Sequence, residues 1–204
     1  MNLNYFTGDW NADCGIMYEM LEGIDFYSGS ERKRMLKHKN DGSVGSMNYG
    51  FTWKGYLKKD KETGEKIFRK KAPLKGFYET KIMEQYPELR WVFEEFKDLY
   101  FSDFCFTNVQ MNKNFPCPPH KDGANVGESV LVCLGEYGGG ELVIKDYPEL
   151  GENVIDTRNS IYRFNGSLFE HWVKPFEGTR YSLVFYNNST IRGSLNNLIK
   201  NMTI

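Results

Sequence analysis

The sequence predicts a mainly β domain with flanking helices (α+β), built as a double-stranded jelly roll preceded by one or two helices. Three observations carry this. From residue 104 onward, short apolar or alternating runs recur at 104–111, 117–121, 129–134, 141–145, 152–156, 160–164, 169–174 and 180–186, separated by Gly, Asn, Asp or Pro. Eight short runs in about eighty residues have the spacing of a compact sandwich or barrel. The stretch YGGGEL at 137–142 reads as a turn between two of them, because glycine supplies the positive φ that tight turns need. Upstream, Ile82, Tyr86, Leu89, Phe93, Phe96 and Tyr100 alternate in steps of four and three, the period of an amphipathic helix over 80–100.

In chain order, residues 1–100 read as a helical and hairpin support, 101–190 as the jelly-roll core and 191–204 as a tail, all within one domain of 204 residues. Residues 31–76 hold 14 Lys and Arg against 5 Asp and Glu, net +9, while the remainder is net −10 and the whole chain −1. This basic segment is either a face for phosphate backbones or a solvated lysine-rich hairpin. Within it SMNYGFTWKGYLKK at 46–59 suggests a hairpin with the basic segment at its tip. Pro87 interrupts the helical period, so the helix is kinked there or begins there. Its aromatic stripe is read as core.

The first residues lack a basic and apolar leader, and no 18 uninterrupted apolar residues occur, so no membrane partner is expected and the chain reads as intracellular, in cytoplasm or nucleus. Cys14, Cys105, Cys117 and Cys133 form no CxxC pair and read as buried free thiols, with no disulfide and no structural zinc expected. The NGS at 165–167 fits a glycosylation pattern that has meaning only on a secretory route.

HKDGAN at 120–125 carries the first chemical signal. On a strand, His120 and Asp122 project to the same face. A second imidazole from elsewhere would complete two nitrogens and one carboxylate around a metal with positions left open, the set used by non-haem Fe(II) oxygenases. The chain has two other histidines. His38 lies in RKRMLKHKN, where positive charge opposes a metal, whereas His171 lies in the apolar run FEHWV and is preferred. Nine residues on, RYSLVFY at 180–186 alternates Arg180, Ser182, Val184 and Tyr186 on one face with Tyr181, Leu183 and Phe185 on the other. An arginine in an apolar strand is costly unless paired, and its fork matches a carboxylate. The partner is either an internal acidic residue or a dicarboxylate that chelates the metal with one end and meets Arg180 and Ser182 with the other. Trp172 follows an inward-pointing ligand and is read as core packing rather than as a pocket wall.

The order His-x-Asp, a GGEL-type turn, His, and Arg-x-Ser nine residues later resembles the Fe(II)/2-oxoglutarate-dependent dioxygenases. HKDGANVGESVLV at 120–132 and TRYSLVFYNN at 179–188 resemble the TET/JBP branch within them, and the likeness spans about residues 108–188. It implies a double-stranded β-helix (jelly-roll, cupin-like) core, Fe(II), 2-oxoglutarate as cosubstrate and O2. It further implies His120, Asp122 and His171 as iron ligands and Arg180 and Ser182 on the distal carboxylate of 2-oxoglutarate. Asn125 would contact a pyrimidine flipped out of DNA and Tyr186 would stack on it. Asn188 stands where the branch has a histidine after that tyrosine, so the choice between 5-methylcytosine and thymine stays open. The gap from the second histidine to the arginine is shorter than in animal TET enzymes and nearer that of prolyl hydroxylases, and the cysteine-rich region is absent. The resemblance is therefore to a minimal catalytic core, as expected of a microbe or of a virus or phage acting within a host cell.

The implied activity is hydroxylation of the C5 methyl of a pyrimidine in DNA, 5-methylcytosine to 5-hydroxymethylcytosine and further oxidised forms. Thymine hydroxylation, peptidyl (prolyl-type) hydroxylation and oxidative repair of alkylated bases are the rival enzyme readings. A catalytically silent modified-base reader is the rival outside enzymes.

Overall fold

The computed structural model describes residues 4–27, 43–54, 58–59, 63, 66–67, 76–146 and 153–191. Most of the basic segment 31–76 and nearly all of the tail 191–204 lie outside the described residues. Helix α1, Trp10–Glu22, starts where the Asp9 side chain accepts the Ala12 N–H at 2.9 Å, the N-cap bond that satisfies one orphan donor. In its first turn Asp13 is fully buried and accepts from Thr7 N, Thr7 Oγ1 and Gly8 N at 2.7, 2.7 and 2.9 Å, and also from Tyr100 Oη. One carboxylate thus pins the chain before α1 and the far end of a second helix.

That second helical stretch obeys the expected period but is divided. Helix α2 is Lys81–Gln85 and α3 is Leu89–Tyr100, with Tyr86 between them at φ −130°, ψ 66°. The break falls on the residue before Pro87 because the pyrrolidine ring drives its predecessor out of the helical region and supplies no N–H.

Six strands form the main sheet: β1 Gly45–Lys54, β4 Gly76–Glu79, β5 Asn108–Lys113, β6 Ser129–Leu134, β10 Ile161–Phe164 and β13 Tyr181–Tyr186, in the order β10-β6-β13-β5-β1-β4. All its neighbours pair antiparallel. Two short strands, β2 Lys58–Lys59 and β3 Lys66–Ile67, pair with each other between β1 and β4. The expected hairpin over 46–59 is therefore longer: β1 returns on β4, more than twenty residues away, and β2 and β3 form an inner hairpin. A smaller facing layer consists of β8 Leu142–Ile144, β9 Val154–Ile155 and β11 His171–Val173, ordered β11-β8-β9, with β7 Tyr137–Gly139 paired to β12 Phe176–Gly178. The chain crosses repeatedly between these two layers, as in the double-stranded β-helix.

The expected strand at 117–121 contributes only an isolated bridge, His120 opposite His171. YGGGEL is not simply a turn: 137–139 is itself β7, and Gly139 and Gly140 make the corner to β8 at φ 77° and 75°.

The period of two in β13 decides which face does what. Tyr181, Leu183 and Phe185 join Met17 and Leu21 of α1, Phe93 and Phe96 of α3, and Val109 and Met111 of β5 in the larger core. Phe93 is fully buried, with its ring edge-on to Tyr49 and Phe185 at 5.3 and 5.7 Å, and truncating it to alanine should cost roughly 3–5 kcal/mol. The opposite face carries a smaller core of Leu131, Cys133, Tyr137, Leu142, Ile144 and Phe164. Beside this smaller core the two layers part to leave a cavity of about 300 Å³.

Candidate active site

His120, Asp122 and His171 meet at one wall of this cavity, each offering a ligand atom within 4.8 Å of the others. Paired backbone bonds hold the two histidines together: His120 N–H donates to His171 O at 3.0 Å and His171 N–H to His120 O at 2.9 Å. The imidazole Nδ1 of His120 lies 2.9 Å from Pro118 O, and that of His171 lies 3.0 Å from Phe169 O. A carbonyl only accepts, so each Nδ1 carries the proton and each Nε2 faces Asp122, at 3.3 Å to Oδ1 and 3.8 Å to Oδ2. Two imidazole Nε2 atoms and one carboxylate therefore converge on one point, a set that can hold a cation once both nitrogens are unprotonated.

The surroundings split the two imidazoles. Burial pushes the His120 pKa down, but the bonds to Asp122, Cys117 and Pro118 O outweigh it and raise the value to about 10. His171 is lowered, chiefly by burial. The proton shared with Asp122 thus rides on His120, and a metal ion must displace it.

Around the triad, Asn125 donates from Nδ2 to Asp122 Oδ2 at 3.0 Å and to Ser129 Oγ at 3.2 Å. Its side chain borders the cavity but spends these bonds on Asp122 and Ser129, so it fixes one carboxylate of the converging group. Cys117 sits with Sγ 3.5 Å from His120 Nδ1 and also borders the cavity, and Cys105 is exposed, so only Cys14 and Cys133 match the expected buried thiols. Gly166, the central residue of NGS, passes so close that a Cβ would lie 2.5 Å from Asp122 Oδ2.

Arg180 borders the same cavity and is 3% exposed. Its guanidinium lies against the rings of Tyr137 and Phe176, at 5.5 and 5.6 Å, and Nη2 reaches Cys133 Sγ at 3.0 Å. Nε has no hydrogen-bond partner, and among the described residues no acidic side chain forms an ion pair with this arginine. The internal salt bridge that the sequence left open is thus not what accommodates it. A Cβ on Gly140 would lie 3.2 Å from Arg180 Cδ and 3.2 Å from Phe176 Cβ, so the glycine corner leaves room for the arginine stem. A buried cation with unused donors beside a cavity is a receptor for an anion, and a carboxylate fits its fork.

Ser182, Val184 and Tyr186 line the cavity, as the alternation of β13 requires. Tyr186 is 7% exposed, and its hydroxyl is bonded to Asn48 Nδ2. Asn188 does not border the cavity: its Oδ1 accepts the Thr190 N–H at 3.0 Å, and its backbone bridges Asn125. Trp172 is half-buried and borders the cavity rather than the cores, correcting the packing role expected of it. Sequence reasoning missed Gln110 and Asn112, which stand on the cavity wall from β5. The signal was present, since NVQMNK at 108–113 places three amides on one face and Val109 and Met111 on the other.

No family model and no curated protein matches the sequence. Among solved structures the chain is similar to NgTET1 in complex with 5mC DNA, at 16% identity and a TM-score of 0.47 over 84% of this chain and 68% of that one. It is similar to OsALKBH1 at 13% identity and a TM-score of 0.41, over 87% and 93% of the two chains. A prolyl-4-hydroxylase of Pseudomonas putida matches at 15% identity and a TM-score of 0.36, over 91% and 90%. With TM-scores below 0.5 these are likenesses only, and the chemistry rests on the cavity itself.

Proposed function

We propose that this protein is an Fe(II)- and 2-oxoglutarate-dependent dioxygenase that hydroxylates the C5 methyl of a pyrimidine in DNA, taking 5-methylcytosine to 5-hydroxymethylcytosine. The observation that carries the reading is a single cavity with a two-histidine, one-carboxylate group at one place and a buried arginine, unpaired by any acid among the described residues, at another. His120, Asp122 and His171 would hold iron, leaving positions for cosubstrate and O2. When bound, iron with 2-oxoglutarate and O2 supplies an oxidant for a C–H bond, and the cosubstrate leaves as succinate and CO2.

The chain's own residues bind and orient. Arg180 and Ser182 would take the distal carboxylate, so that the length of the dicarboxylate sets its reach to the metal. Asn125 holds Asp122 in place through its amide. Leu131, Leu142, Phe164 and Val184 give the cavity apolar walls that exclude water from the reacting carbon. Tyr186, with its ring fixed by the bond to Asn48, offers a stacking surface for an extruded base.

DNA is favoured as substrate by the resemblance of 120–132 and 179–188 to the TET/JBP branch and by the +9 net charge of residues 31–76, which suits phosphate contacts. Reversing Lys58, Lys59, Lys70 and Lys71 should weaken DNA binding while 2-oxoglutarate turnover without DNA persists.

The deciding experiment is nucleoside mass spectrometry after incubation with Fe(II), 2-oxoglutarate, ascorbate and DNA containing 5-methylcytosine. We expect 5-hydroxymethylcytosine, lost in His120→Ala. A 5-hydroxymethyluracil product would move the substrate to thymine. Succinate without a modified base would turn the search to peptides and repair lesions, and no succinate would favour a silent base reader.

A further inference from the structure

The cavity side of the main sheet carries a row of directly opposed residues, Ser46 on β1, Asn112 on β5 and Ser182 on β13. Opposed side chains on neighbouring strands are the closest pairs a sheet offers. Gln110, two residues from Asn112, bonds into this row. Its Nε2 donates to Met47 O at 2.8 Å and to Ser46 Oγ at 3.0 Å. Ser46 Oγ donates to Asn112 Oδ1 at 2.6 Å, and Asn112 Nδ2 donates to Ser182 Oγ at 3.1 Å.

The direction of this chain is fixed by chemistry. Met47 O can only accept, so Gln110 must turn its NH2 toward β1. Ser46, 4% exposed, already receives that N–H, so its own proton must find an acceptor, and Asn112 Oδ1 is there. The Asn112 amide is then obliged to turn its NH2 to Ser182. Ser182 Oγ is consequently an acceptor toward the sheet, and its proton is left to donate into the cavity that Arg180 also borders. A hydroxyl set in this sense recognises an anion and offers no preference to an ammonium group.

We propose that Asn112 and Ser46 are positioning residues that polarise Ser182 as a hydrogen-bond donor to the distal carboxylate of a dicarboxylate cosubstrate. The inference rests on the 2-oxoglutarate reading above and adds residues to it. Asn112 acts through Ser182 and needs no contact with the reacting atoms.

The test is calorimetric titration of 2-oxoglutarate into the full chain loaded with redox-inert Ni(II), for the parent protein, Ser182→Ala, Asn112→Leu, Ser46→Ala and the double variant Asn112→Leu with Ser182→Ala. Loss of one neutral hydrogen bond predicts affinity about three- to tenfold weaker for Ser182→Ala and for Asn112→Leu. The double variant should be no weaker than Ser182→Ala alone, because the amide acts only through that hydroxyl. Ni(II) affinity should be the same in all of them, which a general disturbance of the cavity would not permit. Ser46→Ala should move affinity in the same direction, and it carries the same cycle if Asn112→Leu fails to fold. Undiminished binding in Asn112→Leu and Ser46→Ala, or an equal further loss in the Ser182→Ala background, would overturn the relay while leaving the cosubstrate reading intact. Parent protein that binds Ni(II) but no 2-oxoglutarate would overturn both.

Discussion

Gly166 and Asp122 are in contact twice over. The Asp122 N–H donates to Gly166 O at 2.9 Å, and the position of a Cβ on Gly166 lies 2.5 Å from Asp122 Oδ2 and 3.0 Å from His171 Cε1. A glycine is required here by close approach, not by backbone angle. The loop carrying it is pressed against two of the three converging side chains, so its shape and the shape of the proposed metal site are one constraint.

Gly166→Ala should therefore damage the site without unfolding the protein. The added methyl must displace the Asp122 carboxylate by about the distance that separates good from poor metal geometry. We expect affinity for Ni(II) or Mn(II) to fall by about ten- to a hundredfold. The melting temperature of the metal-free protein should change by no more than a few degrees. Unchanged metal affinity would show that Asp122 Oδ2 is not a ligand atom.

Arg180 offers the converse case, a group whose burial costs stability and whose proposed role is binding. Its guanidinium is buried with Nε unpaired, so replacing it by methionine removes an unmet donor and keeps most of the volume. Arg180→Met should melt at or above the parent temperature in the absence of ligands. It should lose the rise in melting temperature that 2-oxoglutarate gives the parent, since that rise measures binding to the folded state. A marked destabilisation of Arg180→Met without ligand would instead assign the arginine to the scaffold.

What the sequence revealed and what it hid follow from the range of the interactions. The face of β13 that carries Ser182, Val184 and Tyr186 was legible because a strand has a period of two, and the break before Pro87 because a proline acts on its own neighbour. The His120–Asp122–His171 group was legible from residue type and order alone. Helix α1 was not, since its buried positions include Asp13 beside Cys14, Met17 and Leu21, and a charged residue breaks the apolar stripe. Pairings such as Ser46 with Asn112 or Tyr137 with Phe176 join residues far apart in sequence, and no local pattern announces them. Gly166 was read only as part of NGS, because the close approach that demands a glycine belongs to the folded chain.

Asn125 separates two roles. In the TET/JBP-like reading it contacts the base, whereas here its amide donates to Asp122 and Ser129. Asn125→Ala should weaken metal binding by about tenfold, the usual effect of removing a group that orients a ligand. Metal titration with and without DNA decides the matter: unchanged metal affinity with weakened binding of 5-methylcytosine DNA would return Asn125 to the base.

The pH dependence of stability should report Asp13. Burial pushes its pKa up, but the bonds from Tyr100, Thr7 and Gly8 outweigh that and hold the carboxyl below its ordinary value of 3.8. A carboxyl whose folded pKa is depressed binds its proton more readily when unfolded. Its contribution to stability is thus fully present above about pH 4 and is lost as the pH falls through the folded pKa. Asp13→Asn removes a charged acceptor that joins the chain before α1 to Tyr100 at the end of α3. At pH 7 the variant should be less stable by roughly 1.5–3 kcal/mol, the range for hydrogen bonds to a charged group. Melting curves of both proteins, followed downward from pH 7, should draw together as the pH falls below 3.8 and through the folded pKa, because the parent carboxyl takes up its proton over that range. A gap that stays constant over that range would mean that the Asp13 carboxylate contributes shape and not charge.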